Sequence, residues 1–372
     1  MSNIIDYIQW RGDLSFNQAP FNEIDNLILS RISYFPFDGL IDDKETITLK
    51  EAYTRFQKLD LSSIHMLQKE DTDLFPEVAY SERFGKLYIK YYINKRDAKA
   101  EKQFSAITFI LPDGTIYVAY RGTDNTLVGW KEDFNMSFME SIPSQEEAKN
   151  YLNKIATELK DNIRVGGHSK GGNLAVYAAA FCNYNIKPRI LEVYNNDGPG
   201  FFDSIINTEE YQAISDKIHT FIPQTSIIGR MLKNEGKCTV VESTEFGIYQ
   251  HSLYSWQVLG NKFIEMKQVT KESEFIDKSL KKWLMTVSSE QREKFWVALY
   301  EIMSSTNQST LFQMKSNWLD SSKKMIATYK GLDDETRKIV NQTVKCFFSI
   351  MKQNVKERER RFSIRKERYN EG

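Results

Sequence analysis

The sequence predicts an α/β protein with a mostly parallel central sheet, a helical N-terminal segment and a helical C-terminal region. Three observations carry this reading. Short β-branched and aromatic runs alternate with helix-forming runs through the middle of the chain, as in strands joined by crossover helices. Two early strands, SAITFIL and TIYVAYRGT, flank Pro112-Asp113-Gly114, a hairpin turn signal. After about residue 270 the strand signal stops and helical spacing takes over.

Each element follows from its own pattern. Residues 1–60 are helical in character, with apolar residues grouped around Phe21–Phe37 and a charged helix near Leu49–Leu59. KLYIKYYI alternates and is aromatic-rich, so it reads as a strand before the hairpin. Ser144-Gln145-Glu146-Glu147 has the form of a capping box with Ser144 as N-cap. Ala148, Tyr151, Leu152, Ile155, Ala156 and Leu159 then keep helical spacing. IRVGG is a strand, NLAVYAAAF a helix, RILEVYNND a strand, YQAISDK a helix, and IHTFIP and KCTVVES are strands. Glu290–Met303 is amphipathic. Val340, Val344, Phe347, Phe348, Met351 and Val355 share one helical face ahead of a charged tail, KERERRFSIRKERYNEG. The expected division is 1–270 for the α/β domain and 271–372 for the helical region.

Composition narrows the function. The chain has 372 residues, with 50 Lys+Arg against 50 Asp+Glu. No net field draws it to nucleic acid or to an anionic membrane. The N-terminus has no basic start before a long apolar core, and no run of about 18 apolar residues occurs. Neither a secretory signal nor a membrane span is expected. Cys182, Cys238 and Cys346 have no metal-type spacing, so neither a disulfide framework nor a zinc site is expected. The expectation is a cytoplasmic protein without metal or organic cofactor.

The chemistry centres on VGGHSKGGNLAVYAA, where Gly167-His168-Ser169-Lys170-Gly171 fits G-x-S-x-G. The pattern alone recurs by chance, and its setting makes it informative. A β-branched run precedes Ser169 and a helix-forming run follows, which a nucleophile on a sharp strand-to-helix turn requires. The first N–H groups of that helix would face developing negative charge. Lys170 is unusual there, because a cation opposes the dipole by a few tenths to about 1 kcal/mol. Either Asp133 or Glu132 pairs with it, or it meets an anionic part of the substrate. His168 is expected to pack as a structural histidine, pointing away from the site.

A serine needs a base, and the base needs an orienting acid. Of His65, His168, His219 and His251, the last follows the final strand in EFGIYQHSLYSW and fits the chain order Ser, acid, His. His219, inside a strand, is the alternative. Asp197, in YNNDGPGF, ends the next strand after the serine and is the candidate acid; Glu242 and Glu245 are weaker alternatives. The oxyanion donors are the N–H of Lys170 and Thr123 in RGTDNTLVGWKEDF, whose backbone and hydroxyl could both point at the oxyanion.

AYRGTDNTLVGWKEDF and VGGHSKGGNLAVYAA resemble the two main motifs of class 3 (fungal-type) lipases. In those enzymes an R-G-[ST] turn supplies an oxyanion donor and G-H-S-x-G-G carries the nucleophile. YIQWRGDLSF, the run from Gln103 to Phe138, NNDGPGF, IPQTSIIG and QHSLYSWQV, in this order, resemble a bacterial family of unknown function called Mbeg-like, placed among the α/β-hydrolases. The resemblance covers roughly residues 1–265. It implies an α/β-hydrolase fold and an esterase or lipase-like activity on a small-molecule or lipid acyl ester. The chain departs from the class 3 pattern at Lys170, where an apolar residue is usual. It departs again at Gln224–Ser226, where the acid would usually follow; Asp197 stands one strand earlier, as in pancreatic-type lipases. The expected function is therefore a serine hydrolase with Ser169, Asp197 and His251 as the triad. The alternative is a catalytically inactive binding or regulatory protein of the same fold. The helical C-terminal region is the candidate surface for a protein partner.

Overall fold

In a computed structural model the chain divides into two compact units, Met1–Val269 and Thr270–Gly372. The structure describes residues 2–42, 45–59, 66–97, 99, 102–124, 126, 129, 132–133, 135–136, 139–245, 247–306, 318–346 and 348–349.

The first unit opens with helices α1 (Ile4–Arg11) and α2 (Glu23–Ile32), each started by an Asn cap and a reciprocal Asp. Strand β1 (Ile47–Thr48) leads into α3 (Leu49–Phe56), and α4 (Asp71–Tyr80) follows. Then come β2 (Tyr88–Asp97), β3 (Lys102–Ile110) and β4 (Thr115–Tyr120). Helix α5 (Pro143–Glu158) leads to β5 (Asn162–His168), and α6 (Lys170–Phe181) to β6 (Ile190–Asn196). Short helices α7 (Asp203–Ile206) and α8 (Glu209–Gln212) precede β7 (Ile218–Pro223) and β8 (Lys237–Val241). Short strands β9 (Val258–Leu259), β10 (Lys262–Phe263) and β11 (Glu265–Met266) close the unit.

The main sheet has nine strands in the order β1-β2-β3-β4-β5-β6-β7-β8-β11. Strands β4 to β8 are parallel, and the pairs at both margins are antiparallel. The sheet is thus mixed, with the parallel centre expected and the hairpin of β3 and β4 antiparallel as its turn predicts. The reason is local: the Pro112-Asp113-Gly114 turn is too short for a crossover, so β3 and β4 must pair antiparallel.

Alternation along the strands separates two apolar layers. Ala106, Ile116, Val118 and Tyr120 face the crossover helices α5 and α6, with Leu152, Ile155, Leu174 and Ala178. Ile107, Phe109, Tyr117 and Ala119 face α1 to α4, with Ile24, Leu27, Ile28 and Phe75. One face is therefore covered by crossovers, and the other by the N-terminal helices. Buried ion pairs lock the second layer: Arg31 to Asp71 and Arg83 to Asp25, each at 2.5 Å.

The expected cap of α5 is corrected. Pro143 occupies the first turn, Ile142 is the N-cap residue, and the Gln145 side chain accepts the Ile142 N–H at 2.9 Å. Ser144 lies inside the helix, and its N–H goes to Glu132.

The second unit contains α9 (Lys271–Thr286), α10 (Ser289–Ser304) and α11 (Trp318–Gly331), with residues 334–346 also helical. Thr270 and Ser288 cap the first two. Trp283 packs edge-on against Phe295 and Trp296. Of the apolar face expected near the C-terminus, Val344 and Phe348 are exposed. Phe347, Met351, Val355 and the charged tail lie outside the described residues. No helix among the described residues is long and apolar enough to cross a membrane.

Candidate active site

Ser169 follows the last residue of β5 and caps α6, with φ 59° and ψ −133°. A non-glycine residue in this region is strained by about 1–3 kcal/mol. The flanking glycines make the turn feasible. A Cβ on Gly171 would stand 2.1 Å from Tyr120 O, and one on Gly167 would stand 2.3 Å from the Gly171 backbone. The G-x-S-x-G spacing thus reflects how closely α6 approaches β4 and β5. The Ser169 N–H donates to Asn196 O at 3.0 Å, which seats the turn on the end of β6.

Asp197 is the residue after β6, one strand over, and also has positive φ, 53°. Its carboxylate is buried and saturated. Oδ1 accepts from Ser226 Oγ at 2.5 Å and from Gly229 N–H at 3.1 Å; Oδ2 accepts from His251 Nδ1 at 2.7 Å. The loop after β7, which offers no carboxylate, instead supplies donors that hold Asp197. Because Nδ1 gives its proton to a carboxylate, Nε2 of His251 is left as the basic nitrogen. Gln250 braces the same loop: its Oε1 accepts Thr225 N–H at 2.7 Å, and its carbonyl accepts Trp256 Nε1–H at 2.9 Å.

The turn Gly122–Thr123 abuts the serine. A Cβ on Gly122 would stand 3.1 Å from Ser169 Cβ. Thr123 Oγ1 donates to Asp133 Oδ1 at 2.5 Å. Its hydroxyl proton is therefore committed, and of the two expected donors on Thr123 the backbone N–H remains. Burial pushes the Asp133 carboxyl up to about 6, against the pull of the Lys170 ammonium and the Thr123 hydrogen bond.

Lys170 is buried and turned away from solvent. Its three protons are satisfied by Glu132 Oε2 at 2.8 Å, Gln103 O at 3.0 Å and Gln103 Oε1 at 3.0 Å. Of the two readings of Lys170, the structure takes the ion pair. Glu132 also accepts Gln103 N–H and Ser144 N–H, each at 3.0 Å. Its charge offsets the cation at the start of α6 and lies favourably at the start of α5.

His168 does not point away. Its ring lies against that of His251, with centroids 4.4 Å apart. His219 sits elsewhere on the sheet, stacked on Tyr194 and beside Glu192. Asp197 and His251 are thus joined directly, while Ser169, Gly122 and Lys170 reach the group through strand ends and short turns. Ser226, Gly229 and Tyr34 are additions that spacing along the chain did not single out, and His168, expected to point away, joins them. Among the described residues, no group of three or more His, Cys, Asp and Glu could hold a metal. The arrangement sets an imidazole, oriented by a buried carboxylate, against the residue that precedes Ser169.

The Mbeg1-like family model matches residues 78–301. No curated protein matches the chain. Three solved structures are similar at low identity. M37 lipase is 16% identical, with 55% of this chain and 68% of that one covered and a TM-score of 0.35. The Rhizomucor miehei lipase in its propeptide complex is 16% identical, with 59% and 67% covered and a TM-score of 0.35. A triacylglycerol lipase from Penicillium expansum is 12% identical, with 46% and 73% covered and a TM-score of 0.29.

Proposed function

The chain belongs to the Mbeg1-like family, and we propose that it is a serine hydrolase of α/β-hydrolase fold that cleaves carboxylic esters of small-molecule or lipid acyl groups. The observation that carries this is the bond at 2.7 Å between buried Asp197 and part-exposed His251, one strand from a serine held at positive φ on a strand-to-helix turn.

Ser169 Oγ attacks the ester carbonyl carbon while His251 Nε2 takes the hydroxyl proton. Asp197 holds the imidazole in the required tautomer and stabilises its cation. The backbone N–H groups of Lys170 and Thr123 receive the tetrahedral oxyanion. Collapse breaks the ester C–O bond, and the imidazolium protonates the departing alkoxide. Water, deprotonated by the same imidazole, then releases the acid and regenerates Ser169. The reaction is placed in the cytoplasm, and the helical second unit is offered as a surface for a protein partner.

The test is release of p-nitrophenol from p-nitrophenyl esters of increasing acyl length. The native protein turns them over, and Ser169→Ala abolishes turnover with Tm almost unchanged. Retained turnover in the alanine variant removes Ser169 from the mechanism. A folded native protein inert toward every ester favours a binding role instead.

A further inference from the structure

We propose that His168, the residue before the nucleophile, is a positioning residue that fixes the orientation of the His251 ring through a close, tilted ring contact and a hydrogen bond to the His251 main chain. This rests on the assignment of His251 as the base.

Three observations converge on His168. Its ring faces that of His251 at 4.4 Å between centroids, with 37° between the planes. Its Nε2 stands 2.9 Å from the His251 carbonyl oxygen. Its Nδ1 stands 3.1 Å from the Tyr34 hydroxyl. A carbonyl oxygen only accepts, so Nε2 carries the proton. Nδ1 is then an acceptor for the Tyr34 hydroxyl, whose one proton it shares with His168 O at 3.2 Å. Both ring nitrogens are used, and the tautomer is determined by its neighbours.

The ring is neutral. The groups facing it are Tyr34 and Arg31, from α2 and the turn after it, and His251 from the base loop. Burial, the His251 ring and the Arg31 guanidinium all hold His168 well below the usual histidine range. When His251 becomes an imidazolium during acyl transfer, the ring against it therefore adds no like charge.

This contact supplies what Asp197 alone does not. One hydrogen bond to Nδ1 fixes one end of the His251 ring but leaves it free to swing about the Nδ1···Oδ2 line. The His168 ring blocks that swing on one face. Its N–H holds the carbonyl of the same residue, so side chain and main chain are both constrained. Misplacing a reacting group by about 1 Å can cost about 100-fold in rate. Tyr34 extends the link: its hydroxyl lies against Gly122 and donates toward His168 O at 3.2 Å. Oxyanion turn, nucleophile strand and base loop are thus referred to one imidazole.

Three substitutions separate the contributions. His168→Gln places an amide N–H near the position of Nε2 and keeps the bond to His251 O. His168→Asn places it near Nδ1 and loses that bond. His168→Phe keeps a ring and loses both bonds. Two readouts are made on each folded variant: kcat and KM for a p-nitrophenyl ester, and the far-downfield proton resonance of His251 Nδ1–H in the resting protein. The Asn and Phe variants are expected to lower kcat about 10- to 100-fold with KM changed less than about twofold, and to weaken or shift the resonance. The Gln variant, which keeps the bond to His251 O but not the ring, is expected to recover part of both. Should Phe fail to fold, the Gln–Asn comparison carries the test. The proposal is overturned if Asn and Gln behave alike, or if the resonance and kcat stay native in all variants. The resonance needs no turnover, so a protein inert toward esters whose resonance follows the Gln–Asn order refutes the hydrolase and upholds the positioning.

Discussion

Asp197 and Ser169 each keep a backbone conformation that costs about 1–3 kcal/mol, and each is surrounded by contacts that over-determine it. For Asp197 those contacts are Ser226 Oγ, Gly229 N–H and His251 Nδ1. If its task is to set the His251 tautomer, Asp197→Asn should lower kcat by up to about 10⁴-fold while the fold persists. Steady-state kinetics with circular dichroism check this; native kcat in the Asn variant would place the orienting role elsewhere. The residues put forward from the sequence were those whose chemistry restricts residue type and chain order: Ser169, Asp197, His251. Ser226, Tyr34 and His168 were not legible in that way. Their roles arise from approach between segments 29, 134 and 83 positions apart in the chain, which no local spacing encodes.

Glu132 ties three elements together: it binds Lys170 at the start of α6, Ser144 N–H at the start of α5, and Gln103 N–H on β3. Removing one partner of such a pair leaves a bare buried charge, which costs about 3–5 kcal/mol, whereas removing both can be neutral. Lys170→Leu should therefore lower stability by about that amount, and Lys170→Leu with Glu132→Gln should recover much of it. In the single variant kcat should fall by more than KM rises, since the displaced turn carries the proposed oxyanion donors. Denaturant melts and kinetics test both; equal stability of the single and double variants would contradict the pairing. At this scale the alternation of strands and helices was readable from period alone. The α5 cap was not, because Pro143 fits the first turn and a distant carboxylate takes the Ser144 N–H. The antiparallel pairing of β3 and β4 was readable from the Pro112-Asp113-Gly114 turn, whereas the antiparallel pairing of β11 with β8 was not.

The site lies at the carboxyl ends of β5 and β6, where parallel strands deliver side chains to one edge and the loop after β8 returns to meet them. The N-terminal helices form more than a cover for the sheet. Ser252 Oγ donates to Gln68 Oε1 at 2.9 Å, and the Tyr254 hydroxyl donates to Asp71 Oδ1 at 2.6 Å. Asp71 is itself fixed by Arg31. The loop carrying His251 is thus anchored to residues nearly 200 positions earlier, an arrangement that composition and periodicity do not display. The proposed chemistry requires that Ser169 be a nucleophile activated by His251. Treating the folded protein with a fluorophosphonate and mapping the adduct by peptide mass spectrometry tests this most directly. A single stoichiometric adduct on Ser169 is expected, formed far more slowly in His251→Ala. A folded protein that takes no adduct at Ser169, or takes it equally fast without His251, would contradict it.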